Sequence, residues 1–282
     1  MLRKVIALAA LGLALSAGQA LASGTTNRAP KHVEFGFEGP FGTFDQAQLQ
    51  RGYKVYREVC SSCHGMTLMS FRNLGQKHGP FYDADRPNPN DNPYVRAIAA
   101  EYQINDVDSE TGDVIQRPGS SADRFPNPYP NEAAARAGNG GALPPDLSVL
   151  IKARHHGPQY VYSILTGYAN PPAGLKVSPG QYYNPYVPGD LAAFWTGDSH
   201  HVPPGGFIAM PPPLRPDGVT FDDGTRATVE QQAKDVVAFL TWAAEPKMIE
   251  RKQFGMAAMI YLLILAGLVY ASYRRIWRNV AH

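Results

Sequence analysis

Residues 57–68 read REVCSSCHGMTL, and the two cysteines in this stretch, Cys60 and Cys63, are the only ones in a chain of 282 residues. Two serines separate them and His64 follows at once. Several chemistries use these residue types, and the spacing and the rest of the chain must choose among them.

A structural zinc site takes four ligands, usually as two Cys/His pairs. The second pair would have to be His155–His156 or His200–His201, and neither has the usual spacing. A thioredoxin-like redox pair belongs in a βαβ pattern, whereas here the motif ends a helical pattern with no strand ahead of it. A structural disulfide across two residues closes a tiny loop of little stabilising value and leaves His64 without a role. C-x-x-C-H is the attachment pattern of c-type haem. On a helix, positions i, i+3 and i+4 share a face, so both thiols can add to the haem vinyl groups while the His64 imidazole reaches the iron. The expectation is one covalently bound haem c.

The ends of the chain agree with this. Arg3 and Lys4 precede an apolar run that closes on Ala20-Leu21-Ala22, the layout of a secretory signal peptide. Residues 1–22 are therefore expected to be a cleaved signal, and c-type haem is attached outside the cytoplasm. Near the other end, FGMAAMIYLLILAGLVYASY (254–273) holds no charged residue. Twenty residues at about 1.5 Å each give about 30 Å, the thickness of a bilayer core. Arg251 and Lys252 precede the run, Arg274, Arg275 and Arg278 follow it, and Tyr270, Tyr273 and Trp277 suit the membrane interface. The expected organisation is a haem domain over 23–246, a linker at 247–253, a transmembrane helix at 254–273 and a cytoplasmic tail at 274–282. The signal peptide sets the orientation. Residues 23–246 contain 18 Lys+Arg and 23 Asp+Glu, a balance of −5. That disfavours nucleic acid and leaves room for a basic protein partner.

Between the ends the chain is rich in proline and glycine (25 and 27), which marks turns and extended loops. Little of it alternates like a strand. Five segments read as helices. DQAQLQRGYKVYREVCSSCH brings Leu49, Tyr53, Tyr56, Cys60 and Cys63 near one face. PYVRAIAAEYQI, PDLSVLIKARHH and GPQYVYSILTGY follow, the last with Pro158 in its first turn. ATVEQQAKDVVAFLTWAAEP starts with Thr228 and Gln231 in a capping-box spacing and carries an apolar stripe of Val229, Ala233, Val236, Val237 and Leu240. The fold class is mainly α and loop-rich, a cytochrome c-like haem domain on one C-terminal transmembrane helix.

The second axial ligand follows by elimination among seven methionines. Met1 leaves with the signal. Met66 and Met69 are too close to His64 to reach the opposite face of a haem. Met248, Met256 and Met259 adjoin or enter the membrane. Met210, in GGFIAMPPPLRP, remains, its loop stiffened by three prolines; a thioether there would raise the reduction potential. His200 or His201 is the next choice and His155 or His156 the one after.

Beyond the haem motif, NGGALPPDLSVLIKARHHGPQYVYSILTGY (139–168), YYNPY, IAMPPPL, FDDGTRATVEQQAKDVVAFLTWAAEPK and the C-terminal anchor occur in an order that resembles the cytochrome c1 family in its bacterial form. The resemblance covers most of the mature chain, and the 139–168 segment is its most specific part. It implies His64 and Met210 as axial ligands and Arg154 as partner of a haem propionate, a charge-assisted pairing that suits guanidinium. It also implies that Asn139, Pro144, Pro145 and Tyr160 lie against the haem.

The implied function is that of the electron-transfer subunit of ubiquinol–cytochrome c reductase in a respiratory or photosynthetic chain, with no catalytic residue of its own. Cytochrome b, a Rieske iron–sulfur protein, soluble cytochrome c and membrane lipid would be its partners in a dimeric complex. Its place would be the bacterial inner membrane, with the haem domain in the periplasm. Residues 189–207 depart from the mitochondrial pattern, and Phe194 and Trp195 there are expected to help hold the Met210 loop. Glu101, Asp106, Asp108, Glu110 and Asp113 form an acidic segment suited to steering a basic cytochrome c. From the residues alone a membrane-anchored cytochrome c serving a terminal oxidase, a haem peroxidase and a gas sensor stay open as alternatives.

Overall fold

Helix α1 (Gln46–Val55) is capped by the Asp45 carboxylate, which accepts from the Gln48 N–H at 3.2 Å, and it buries Leu49, Gly52, Tyr53 and Val55. It runs without a break into one wide π turn, Tyr56–Cys60, closed by Ser61 N–H donating to the Tyr56 carbonyl at 2.8 Å. Such turns inside helices recur at functional sites, and this one delivers the chain directly into CSSCH. The computed structural model describes residues 27–279, so the expected signal peptide at 1–22 lies outside the described residues.

Further along the chain come helices α2 (Pro93–Ala100), α3 (Glu132–Gly138), α4 (Gly157–Leu165), α5 (Val229–Ala244) and α6 (Met248–Trp277). Two short antiparallel pairs join them. Strand β1 (Gln103–Val107) pairs with β2 (Val114–Pro118), and β3 (Tyr182–Asn184) with β4 (Gly206–Ile208). The fold is thus mainly helical and loop-rich, as the sequence implies.

The core forms where α1 crosses α5. Gly52 permits the contact: a Cβ there would lie 2.1 Å from the Asp235 carbonyl oxygen, so only glycine lets the two backbones approach this closely. Arg51 Nε donates to the fully buried Asp235 carboxylate at 2.8 Å, and Gln48 and Gln231 supply it with further amide donors. A buried carboxylate is tolerable only when paired and hydrogen-bonded in this way. Around the crossing, Phe239 meets Tyr53 (5.6 Å between ring centroids), Tyr56 (5.8 Å) and Trp242 (5.7 Å). Each fully buried large apolar side chain contributes roughly 1.5–3 kcal/mol, so this aromatic group anchors α1, and with it Cys60, to α5.

Where sequence patterns and structure agree, local chemistry explains why. Thr228 caps α5 by accepting from Gln231 N–H at 3.1 Å. The Gln231 side chain turns to Asp235 rather than back to Thr228, so half of the expected capping box forms. Ala233, Val236, Val237 and Leu240 are buried as expected, and Val229 is half-buried. Pro158 falls in the first turn of α4.

Three expectations need correction. The helix read over PYVRAIAAEYQI stops at Ala100, and Gln103 and Ile104 enter the β1–β2 hairpin instead. PDLSVLIKARHH is not a regular helix. Val149–Ala153 makes a single turn (Ala153 N–H to Val149 carbonyl, 3.1 Å) before His156 turns left-handed at φ 56° and starts α4. The linker expected at 247–253 belongs to α6, which begins at Met248 just after Pro246 and runs on as one helix of 30 residues. Met248 and Ile249 are its only buried residues; the rest of α6, including the charge-free run, is outside the core. Among the described residues this is the one helix long and apolar enough to cross a membrane.

Candidate haem centre

CSSCH forms a single turn. Cys63 N–H and His64 N–H both donate to the Cys60 carbonyl, at 3.1 and 2.9 Å. These are the i+3 and i+4 bonds that set the two thiols and the imidazole on one side, as the spacing predicts. Neither thiol is in a disulfide. Cys60 packs against the main core, and burial pushes its thiol pKa up to about 12, with Cys63 beside it adding to the effect.

A second segment, Pro144–Ser148, clasps this turn. His64 Nδ1 lies 2.8 Å from the Pro145 carbonyl, to which it donates as the Nδ1–H tautomer, leaving Nε2 free to ligate. Burial lowers the His64 pKa and outweighs the opposing pull of Pro145 and Asp146, which keeps the ring neutral and able to bind metal. Leu147 N–H donates to the Gly65 carbonyl at 2.8 Å, and Leu68 N–H to Ser148 Oγ at 3.1 Å. Asp146 joins the two strands of the clasp. One carboxylate oxygen accepts from Thr67 N–H and Thr67 Oγ1, both at 2.8 Å, and the other from Ser148 N–H at 2.8 Å. Burial alone would raise the Asp146 pKa, but the hydrogen bonds from Ser148 and Thr67 prevail and hold it below the usual carboxylate value. The Pro145 carbonyl, held in the same segment, is the group that fixes the His64 ring position and tautomer.

The remaining expected residues fall into two groups. Asn139 caps the end of α3, donating to the Ala135 carbonyl (2.7 Å) and to Tyr129 Oη (3.0 Å), and Tyr129 Oη lies 4.0 Å from Cys63 Sγ. Pro144 is half-buried and Pro145 exposed, so Asn139, Pro144 and Pro145 all stand with the cysteine turn. Tyr160, on α4, packs against the main core. Burial raises its phenol pKa, and the Arg154 charge nearby pulls it down by less. Arg154 is exposed, its guanidinium donates to the Ala153 carbonyl at 3.0 Å, and among the described residues it has no carboxylate partner.

Met210 is placed separately. It is half-buried two residues past β4, and its carbonyl accepts from Tyr168 Oη at 2.9 Å. A small second core of Leu175, Tyr183 and Leu191, joined by Trp195 and Phe207, supports this side, and Phe194 packs edge-on against Phe207 at 5.3 Å. Among the described residues no hydrogen bond joins the Met210 loop to residues 60–68.

The rival ligands are less suited. Met66 and Met69 are core residues. His201 is exposed and pairs with Asp198 at 2.7 Å, and His155, His156 and His200 are also exposed. No group of three His, Cys, Asp or Glu side chains among the described residues could hold an ion as zinc would require. The donor set present is two thiols on one turn and a neutral imidazole with only Nε2 to offer, and it fits a covalently held haem.

Reading from sequence missed Asp146 and Tyr129. Both act across long separations, 79 and 66 residues, which no local pattern reveals. It also left the partners of the acidic segment unread. In the structure Glu101 pairs with Arg57 and Asp106 with Arg117, each at 2.5 Å, while Asp108 spends its carboxylate on the turn amides of Glu110 and Thr111.

Comparison with known proteins gives a consistent result. The sequence model of the Cytochrome C1 family matches residues 35–280. The chain is 39% identical over 292 residues to a cytochrome c1 of Rhodospirillum rubrum, covering 98% of this chain and 97% of the relative. It is 46% identical over 238 residues to "Cytochrome c1-2, heme protein, mitochondrial" of Solanum tuberosum, covering 84% and 81%. A "Cytochrome b/c1" of Bradyrhizobium diazoefficiens is 41% identical over 300 residues, and there the match takes in 97% of this chain but only 40% of the longer relative.

Proposed function

The chain belongs to the cytochrome c1 family, and on that premise we propose that it carries one covalent haem c and serves as the electron-transfer subunit of a ubiquinol–cytochrome c reductase. The carrying observation is the cysteine turn, where two unpaired thiols precede an imidazole whose Nδ1 is taken by the Pro145 carbonyl. When bound, the haem supplies a one-electron Fe(III)/Fe(II) couple.

The chain's own residues would hold and tune it. Cys60 and Cys63 would tether it by thioether bonds, and His64 Nε2 and the Met210 thioether would supply its iron ligands. Arg154, with no carboxylate of its own, would pair with a propionate. Asn139, Pro144, Pro145 and Tyr160 would line the site and keep water from it. None of these residues needs to exchange a proton during electron transfer. Asp146 holds the orientation of the segment behind His64.

In the complex, the subunit would receive one electron from the Rieske iron–sulfur protein and pass it to soluble cytochrome c. It would sit beside cytochrome b in a dimeric assembly, anchored by α6 in the bacterial inner membrane with the haem domain in the periplasm. The β1–β2 hairpin retains a role in steering a basic partner, carried chiefly by Glu110 and Asp113, since Glu101 and Asp106 are already paired.

Haem staining of denatured protein tests the attachment. Wild type should retain the stain, and Cys60→Ala/Cys63→Ala should lose it. A stain that survives the double substitution would contradict the proposal.

A further inference from the structure

Four phenylalanines follow one another at positions 35, 37, 41 and 44. Three turn inward: Phe35 stacks on Phe37 at 5.0 Å, and Phe37 meets Phe44 at 5.2 Å. Phe41 does the opposite and is 81% exposed. Single exposed apolar residues are common on protein surfaces, so exposure alone means little. The setting of Phe41 is what distinguishes it.

Phe41 caps a tight turn closed by Thr43 N–H donating to the Gly36 carbonyl at 3.0 Å. The turn needs its glycines: Gly39 has φ +70°, and a Cβ on Gly42 would lie 1.9 Å from the Glu38 carbonyl oxygen. Lys252 pins it to α6, its ammonium donating to the Phe37 carbonyl at 2.6 Å and the Gly42 carbonyl at 3.2 Å. Lys252 precedes Phe254, the first residue of the charge-free run, by two positions, or about 3 Å along the helix axis. The headgroup layer on each side of a bilayer is about 5–7 Å thick. On the reading that α6 spans the bilayer, Lys252 ties this turn to the end of the apolar run that lies next to the headgroup layer.

We infer that the Glu38–Gly42 turn is an interfacial anchor, with Phe41 inserted at the headgroup–acyl boundary of the leaflet facing the haem domain. An aromatic side chain at that boundary gains from burying its ring without crossing the membrane. Together with Lys252 it forms a second point of attachment beside α6 and limits the tilt of the haem domain over the bilayer.

Site-directed spin labelling of the whole reductase complex in phospholipid vesicles tests this. It uses Phe41→Cys, Ile264→Cys within the apolar run and Val107→Cys on β1, with the parent complex setting the background. On the haem reading Cys60 and Cys63 are consumed by the cofactor and do not label. The expected result is an oxygen-to-nickel-chelate collision ratio at position 41 shifted from the position 107 value toward the position 264 value. A ratio equal to that at 107 would place the turn in water and overturn the inference. A label screened from both reagents would show that a protein subunit covers the turn, which also overturns it. A water-accessible label at 264 would instead refute the membrane placement of α6 itself, and the readings at the two positions separate these failures.

Discussion

The two sides of the proposed haem site are built differently. The histidine side is a clasp in which Pro145, Asp146, Leu147 and Ser148 make five hydrogen bonds within the span 64–68, counting the His64–Pro145, Leu147–Gly65 and Leu68–Ser148 bonds and the two from Thr67. It is also tied through α1 to the main core. On the methionine side Met210 itself is held by one phenol-to-carbonyl bond from Tyr168 beside a small satellite core, and its loop reaches the main core only further on, through Leu214 and the Arg215 carbonyl, which accepts from Gln232 Nε2 at 2.6 Å. On the proposed haem reading the histidine half is set by the fold in advance, while Met210 itself, held only through its carbonyl, would depend more on the cofactor for its final placement. That ordering suits a site whose first contact is covalent and whose last is a weak thioether.

Breaking the clasp at its ligand should have the largest effect. His64→Ala should remove the fixed axial ligand and abolish electron transfer to cytochrome c, measured as quinol-dependent cytochrome c reduction by membranes. Asp146→Ala comes next. It strips charged acceptors from Thr67 and Ser148, and hydrogen bonds to charged groups are worth roughly 1.5–3 kcal/mol. Asp146 is itself exposed, so solvent screening discounts that figure, and a loss of about 1 kcal/mol in unfolding free energy is expected by denaturant titration.

Acid should reproduce that loss in the wild type. Because the folded Asp146 pKa is depressed, its contribution is fully present above the unfolded carboxyl value and disappears as pH falls through the folded one. The thermal unfolding midpoint should therefore fall more steeply for wild type than for Asp146→Ala as pH drops from about 4 to about 2, and the two should run parallel above about pH 5. Curves that stay parallel below that pH would remove Asp146 from the account.

The methionine side should respond more mildly. Tyr168→Phe deletes one neutral hydrogen bond, worth about 1 kcal/mol. Its visible consequence should be faster entry of added imidazole at the Met210 position, followed by stopped-flow absorbance, with the His64 side unaffected.

The same contrast governs what was legible in the sequence. The cysteine turn, α5 and α6 were readable because each depends on local spacing: i, i+3, i+4 in CSSCH, the Thr228 cap and apolar stripe in α5, and a charge-free run in α6. The helix expected over 145–156 failed because Asp146 and Ser148 spend their side chains on Thr67 and Leu68 rather than on local structure, and His156 breaks the path into α4. The β1–β2 hairpin was overlooked because its residues are exposed or half-buried on both faces, so no apolar alternation marks it. Asp146 was invisible because its importance lies in a contact between distant segments. Met210 could be reached by eliminating the other methionines, but the Tyr168 bond that positions its backbone could not.

The most direct test of the central claim, a haem held between His64 and Met210, is the optical spectrum and reduction potential of Met210→Leu beside wild type. The account predicts loss of the methionine–iron absorption band and a potential lowered by on the order of 0.1 V or more, within the roughly 0.8 V range that axial ligands control. An unchanged spectrum and potential would contradict it and return the second ligand to another residue.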